Sequence, residues 1–163
     1  MKVSAQEEYG LRCLLQLALA ARTGESLTLS QIAEREGISV ANAGKLLWIL
    51  NKAGLVQSLR GTKGGYNLAR PASEIHLSEV IRVLDDDEVQ GHCKSYTGVL
   101  DVCVHTNDCG IRSVIVNLHE IVQTALSEIT LAQLIGTEKG VGETLHQIEG
   151  LQLRFKQGTH HSA

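Results

Sequence analysis

Cys93, Cys103 and Cys109 fall within 17 residues, and the remainder of the 163-residue chain holds one further cysteine, Cys13. A thiol cluster in a chain so poor in cysteine points to a metal or redox centre. The spacing is C-x9-C-x5-C. Structural zinc favours closely paired ligands and closes on four protein atoms, and no such pair occurs here. Iron–sulfur clusters take thiolates from loops of varied spacing and accept other ligands. Three thiols with one ligand missing suit that chemistry best. The fourth ligand could then be His92, His105, Asp108 or a carboxylate from elsewhere, such as Glu8. A bare thiol switch that closes a disulfide on oxidation is the remaining chemistry. Cys13 lies in the apolar stripe of a helix and reads as a small buried hydrophobe.

Other chemistries lack their residues. The chain has no P-loop, no dinucleotide fingerprint and no nucleophile elbow. His105 and His119 lie near the cysteines, but a Cys–His pair without an orienting partner is a weak signal. An electron carrier or enzyme is therefore the least supported class.

The charge is divided along the chain. Residues 1–70 carry nine Lys/Arg and five Asp/Glu, or +4, whereas residues 71–163 carry six and thirteen, or −7. A basic first half is the electrostatic footprint of a polyanion binder. Hydrophobic residues make up 43% and aromatics 3%, so a core must be aliphatic. No apolar run is long enough to span a bilayer, and the amino terminus lacks a secretory pattern. The expected location is the cytoplasm, with thiols kept reduced.

The elements that must position these groups follow from periodicity. Residues 3–21 read as a helix with a wide apolar face of Val3, Leu11, Leu14, Leu15, Ala18 and Leu19. Ser30 reads as the N-cap of a helix over Gln31–Glu36, ended by Gly37. Ser39 caps the next helix, about Val40–Ala53, and Gly54 closes it. Leu55–Arg60 and Tyr66–Ala69 alternate as strands about the turn Gly61-Thr62-Lys63-Gly64-Gly65. Helix, helix, helix, hairpin is the order of a winged helix-turn-helix. His76–Leu84 reads as a further helix, and Asp85–Glu88 ends it. A long helix is expected from about Gly110 to Gln133. Along it Ile111, Ile115, Leu118, Val122, Ala125, Ile129 and Ala132 alternate in steps of four and three. That is a heptad seam, suited to pairing with a second copy. Val141–Phe155 could form a weak helix, and Gln157–Ala163 reads as disordered.

The fold class expected is mainly α, with a small hairpin wing and a long dimerisation helix. The division expected is 1–84 for the DNA-binding head, 85–110 for the cysteine loop, 111–135 for the dimerisation helix and 136–163 for a tail. In such a head the second helix of the motif offers its amino-terminal side chains to base edges in the major groove of double-stranded DNA. Those are Ser39, Asn42 and Lys45 here. Asn can address adenine and Lys guanine. Arg60 and Lys63 lie on the wing, placed for a minor groove or phosphates, and Ser30 and Gln31 at a helix start for phosphate. Each also has a structural reading as a cap or a solvated surface group.

These segments resemble the Rrf-two family of bacterial winged-helix regulators. The resemblance rests on EEYGLRCLLQLALA, SQIAEREGIS, LNKAGLVQSLRGTKGGYNLARPASEIHLSEVIRVLD, and the cysteine loop running into a long helix. It spans about residues 1–135. It implies a homodimeric transcription factor, usually a repressor acting on an operator. Many members hold a [2Fe-2S] or [4Fe-4S] iron–sulfur cluster between the loop of one subunit and the first helix of the other. On that resemblance the thiolates are Cys93, Cys103 and Cys109, and Glu8 stands where nitric-oxide-sensing and redox-sensing members place a carboxylate. Oxidant, nitric oxide or iron shortage would be the signal. Other members carry no cluster and answer to a protein partner. The chain departs from the pattern in three places. The first cysteine gap is wide. Arg12 and Arg112 stand where histidine ligands occur in some members. The reading helix carries Ala41-Asn42-Ala43-Gly44-Lys45, so the family's operator does not transfer.

Overall fold

Ser4 opens the first helix by a reciprocal cap. Its Oγ accepts from the Glu7 amide at 3.2 Å, and the Glu7 carboxylate accepts from the Ser4 amide at 2.6 Å. The computed structural model describes residues 3–59, 61, 64–85, 103, 105 and 108–147. Helix α1 (Ala5–Ala21) buries Cys13, Leu14, Leu17 and Ala18. Helix α2 (Leu29–Glu36) begins at Thr28, not at Ser30. Thr28 and Gln31 stand three apart and form the reciprocal cap, which leaves Ser30 inside the first turn. Gly37, at φ 63°, supplies the left-handed turn into α3 (Val40–Lys52), capped by Ser39 as expected.

Strands β1 (Val56–Leu59) and β2 (Gly65–Leu68) pair antiparallel, Val56 opposite Leu68 and Leu59 opposite Gly65. Leu27 exchanges both main-chain hydrogen bonds with Tyr66, at 3.2 and 2.7 Å. This ties the hairpin to the α1–α2 connection. A Cβ on Gly65 would stand 2.8 Å from the Leu27 carbonyl oxygen, so only glycine permits that approach.

Helix α4 (Leu77–Leu84) starts one residue later than expected, with His76 at its N-cap. Helix α5 (Gly110–Ser127) stops well short of Gln133. The chain turns back beside α4. Leu77 N donates to Ile129 O at 2.9 Å, and Leu131 N donates to Ile75 O at 2.8 Å. Ile129 and Leu131 thereby enter the core of the head. Burying each is worth about 1.5–3 kcal/mol, more than another turn of exposed helix would return. The expected seam loses its last two members. Ile129 is in the core, and Ala132 sits in a short 3-10 turn, Leu131–Leu134. Helix α6 (Glu138–His146) begins earlier than the Val141 expected. Residues 148–163, with the expected tail, lie outside the described residues.

One aliphatic core joins helices α1 to α4, the hairpin and the turn at Leu131. Leu14, Leu17, Ile32, Leu46, Leu47, Leu50, Leu55, Ile75, Leu84 and Leu131 are almost wholly removed from solvent. The fold is mainly helical with a small wing, and among the described residues no helix is long and apolar enough to cross a membrane.

Candidate nucleic-acid interface and cysteine centre

Helix α3 divides cleanly. Ala43, Leu46, Leu47 and Leu50 face the core. Ala41, Asn42, Lys45, Trp48 and Lys52 face solvent. Asn42 and Lys45 are thus free to reach outward from the first turns, as the sequence reading requires. The Ser39 Oγ accepts from the Asn42 amide at 3.1 Å, which leaves its hydroxyl hydrogen and one lone pair for a ligand. Ser30 and Gln31 are exposed at the start of α2. The Gln31 Oε1 is taken by the cap, accepting from Thr28 N at 2.8 Å and Thr28 Oγ1 at 2.9 Å, so only its amide NH₂ can address a ligand. Arg60 and Lys63 lie outside the described residues.

The exposed face of this helix extends past Lys45 to Trp48. That side chain is 64% exposed, and the Lys52 ammonium lies over its ring, 5.3 Å from the centroid. The intervals from Lys45 to Trp48 and from Trp48 to Lys52, three and four residues, were the available signal.

The cysteine centre is described in part. Cys93 and His92 lie outside the described residues. Cys103 and Cys109 are half-buried free thiols. Cys109 is the N-cap of α5, and its Sγ accepts from the Arg112 amide at 3.4 Å. The Arg112 guanidinium donates to the His105 carbonyl at 3.1 Å, fastening the preceding segment to the helix start. An amide aimed at sulfur is the contact by which proteins tune a bound thiolate. The donor set therefore suits a soft metal centre, although no group of three ligands converges among the described residues.

Glu8 is on the exposed side of α1, in an ion pair with Arg12 at 2.6 Å. Arg12 also lies 4.0 Å from Glu36, whose side chain is only 8% exposed. The Gln16 side-chain amide donates to that carboxylate at 2.6 Å. Cys13 is fully buried. Burial, with the Glu36 charge adding to it, pushes its thiol up to about 12.

Among the described residues, nothing covers the apolar face of α5. Ile111, Val114, Ile115, Leu118 and Ile121 are all at least 40% exposed.

Comparison with known proteins agrees with this architecture. The family model Rrf2, described as an iron-dependent transcriptional regulator, matches residues 3–137. The chain is 33% identical over 138 residues to the HTH-type transcriptional regulator IscR of Yersinia pestis, covering 85% of this chain and 81% of that protein. Among solved structures it is similar to T. potens IscR, with TM-score 0.62 and 27% identity over 100% of this chain and 94% of that one. It is also similar to CymR, the global cysteine regulator of B. subtilis, with TM-score 0.60 and 30% identity over 81% and 94%. Relatives and neighbours alike are named as regulators, not as enzymes. The chain belongs to the Rrf2 family of winged-helix transcriptional regulators.

Proposed function

We propose that this regulator is a homodimeric repressor whose hold on double-stranded operator DNA is set by an iron–sulfur cluster. The observation that carries the reading is the setting of the two described loop thiols. Both are free and half-buried, and Cys109 caps the long helix with an amide donated to its sulfur. With Cys93 they make three thiolates. When bound, a cluster would supply redox and nitric-oxide chemistry at this loop.

Glu8 is our fourth ligand. Leaving Arg12 costs it little, because an exposed ion pair is worth about 0–1 kcal/mol. The coupling to the head is steric. Gln6 and Gly10 of α1 hold Leu84, the last residue of α4 on the chain's way to the cysteines. A pull on Glu8 is thus felt at Leu84, where the chain leaves α4 for the loop. The uncovered face of α5 supports pairing with a second copy, which would set two heads at a fixed spacing on half-sites about one helical turn apart. Ser39, Asn42 and Lys45 then face bases, with Ser30, Gln31, Arg60 and Lys63 on the backbone or in a minor groove.

The test is anaerobic purification followed by native mass spectrometry. Bound iron and sulfide, with operator affinity that changes when they are removed, are the expected result. A colourless, iron-free chain would defeat the cluster. Similarity to CymR favours a second reading, in which a protein partner or thiol oxidation exerts control without a cluster. A triple Cys→Ser variant that still binds and releases DNA as the parent does would select the partner.

A further inference from the structure

The chain spends its single tryptophan on the outside of α3, where Trp48 is 64% exposed. The fold has an aliphatic core with no use for it. Burying an indole stabilises by about 2–3 kcal/mol, so an exposed one signals a surface completed by something else. Its neighbours on the same stripe say what. Lys45 is one turn before it and Lys52 one turn after, with the Lys52 ammonium 5.3 Å from the ring centroid. Asn42 and Ala41 continue the stripe toward the start of the helix. An apolar plate between two cations fits an anionic partner that also offers apolar surface. The backbone of duplex DNA is such a partner, alternating phosphate and deoxyribose.

The dimensions agree. Lys45 to Lys52 spans about 10 Å of helix rise, close to the roughly 12 Å width of a major groove. If Asn42 and Lys45 are on the groove floor, Trp48 and Lys52 meet its wall. We infer that Trp48 packs its indole against the sugar–phosphate wall of the major groove, while Lys52, held over the ring, neutralises the adjoining phosphate. This deepens the DNA-binding reading and rests on it. The contact positions the reading head and carries no base information.

Because no second tryptophan is present, emission reports this side chain alone. The full chain, purified anaerobically, is titrated with a fluorescein-labelled duplex that it has itself selected from a random-sequence library. Anisotropy reports binding, and acrylamide quenching reports exposure of the indole. The expected result is strong protection from acrylamide as the duplex binds. Trp48→Ala should weaken binding roughly tenfold, by a similar factor for selected and scrambled duplexes. Trp48→Phe should recover most of that loss. Lys52→Ala should flatten the slope of log affinity against log salt by about 0.9. Thermal unfolding of each variant should match the parent, since neither side chain supports the core. Binding with the indole still fully quenchable, or equal affinity of Trp48→Ala and parent, would overturn the inference and turn this face toward an acidic protein. No anisotropy change for the parent would instead defeat the DNA-binding reading itself.

Discussion

Gly10 lies so close to Leu84 that a Cβ built on it would stand 2.4 Å from Leu84 Cδ1. Helices α1 and α4 meet here with only the Leu84 side chain between them, and Gln6 secures the contact by donating to the Leu84 carbonyl at 2.8 Å. Leu84 is fully buried and has nowhere to retreat. Gly10→Ala should therefore cost about 1–3 kcal/mol through overpacking. Gly44 is the contrasting case. A Cβ there meets only Leu29 Cδ2, at an ordinary 3.7 Å. Gly44→Ala should stabilise by about 0.4–1 kcal/mol, as a helical glycine replaced without strain does. Urea unfolding midpoints at one protein concentration check both, and equal signs for the two variants would refute the packing argument.

The start of α2 separates two neighbouring hydroxyls. Thr28→Ala removes an acceptor for the Gln31 amide and a donor to its side chain, and should cost about 1 kcal/mol. Ser30→Ala removes no cap and should change stability by less than about 0.5 kcal/mol. The same unfolding assay decides, and a larger effect at Ser30 would return the cap to the place read from the sequence.

Cys109 has two roles that one atom can divide. Cys109→Ser keeps an acceptor for the Arg112 amide, whereas Cys109→Ala does not. Unfolding of the iron-free proteins should show the alanine variant less stable than the serine one by about 1 kcal/mol. Both should lose bound iron alike when iron per chain is measured after anaerobic purification. A serine variant with a full complement of iron would remove Cys109 from the ligand set.

Leu118 is 57% exposed on α5. Leu118→Glu should leave the chain's own fold within about 0.5 kcal/mol of the parent, yet place a buried, unpaired charge in a paired helix. Sedimentation velocity should show the parent as a dimer and the variant shifted to monomer. A parent that sediments as a monomer would exclude the pairing.

Much of this architecture could be read along the chain. Ser39, Gly37 and the glycine-rich hairpin were legible because a cap, a left-handed turn and a strand alternation are decided by residues within four positions of one another. Cys13 was legible as a core residue from its place on an apolar face. The choice of Thr28 over Ser30 was written there too, since Thr28 has Gln31 at the capping-box offset of three and Ser30 has Ala33. The end of α5 was harder. Its heptad continues through Ile129 and Ala132, against the single local signal of the Thr130–Gln133 cap.

What the sequence alone determined was the set of helices and strands, their order and the winged head. The tertiary structure decided where α5 ends, that Gln6 and Gly10 grip Leu84, that Arg12 is shared between Glu8 and Glu36, and that Trp48 is left bare. Helical and strand periodicities arise from short-range geometry, so they are written in neighbouring residues. Burial and ion pairing are settled between segments dozens of residues apart, where the aliphatic core takes whichever side chains fill it and leaves the others for a partner.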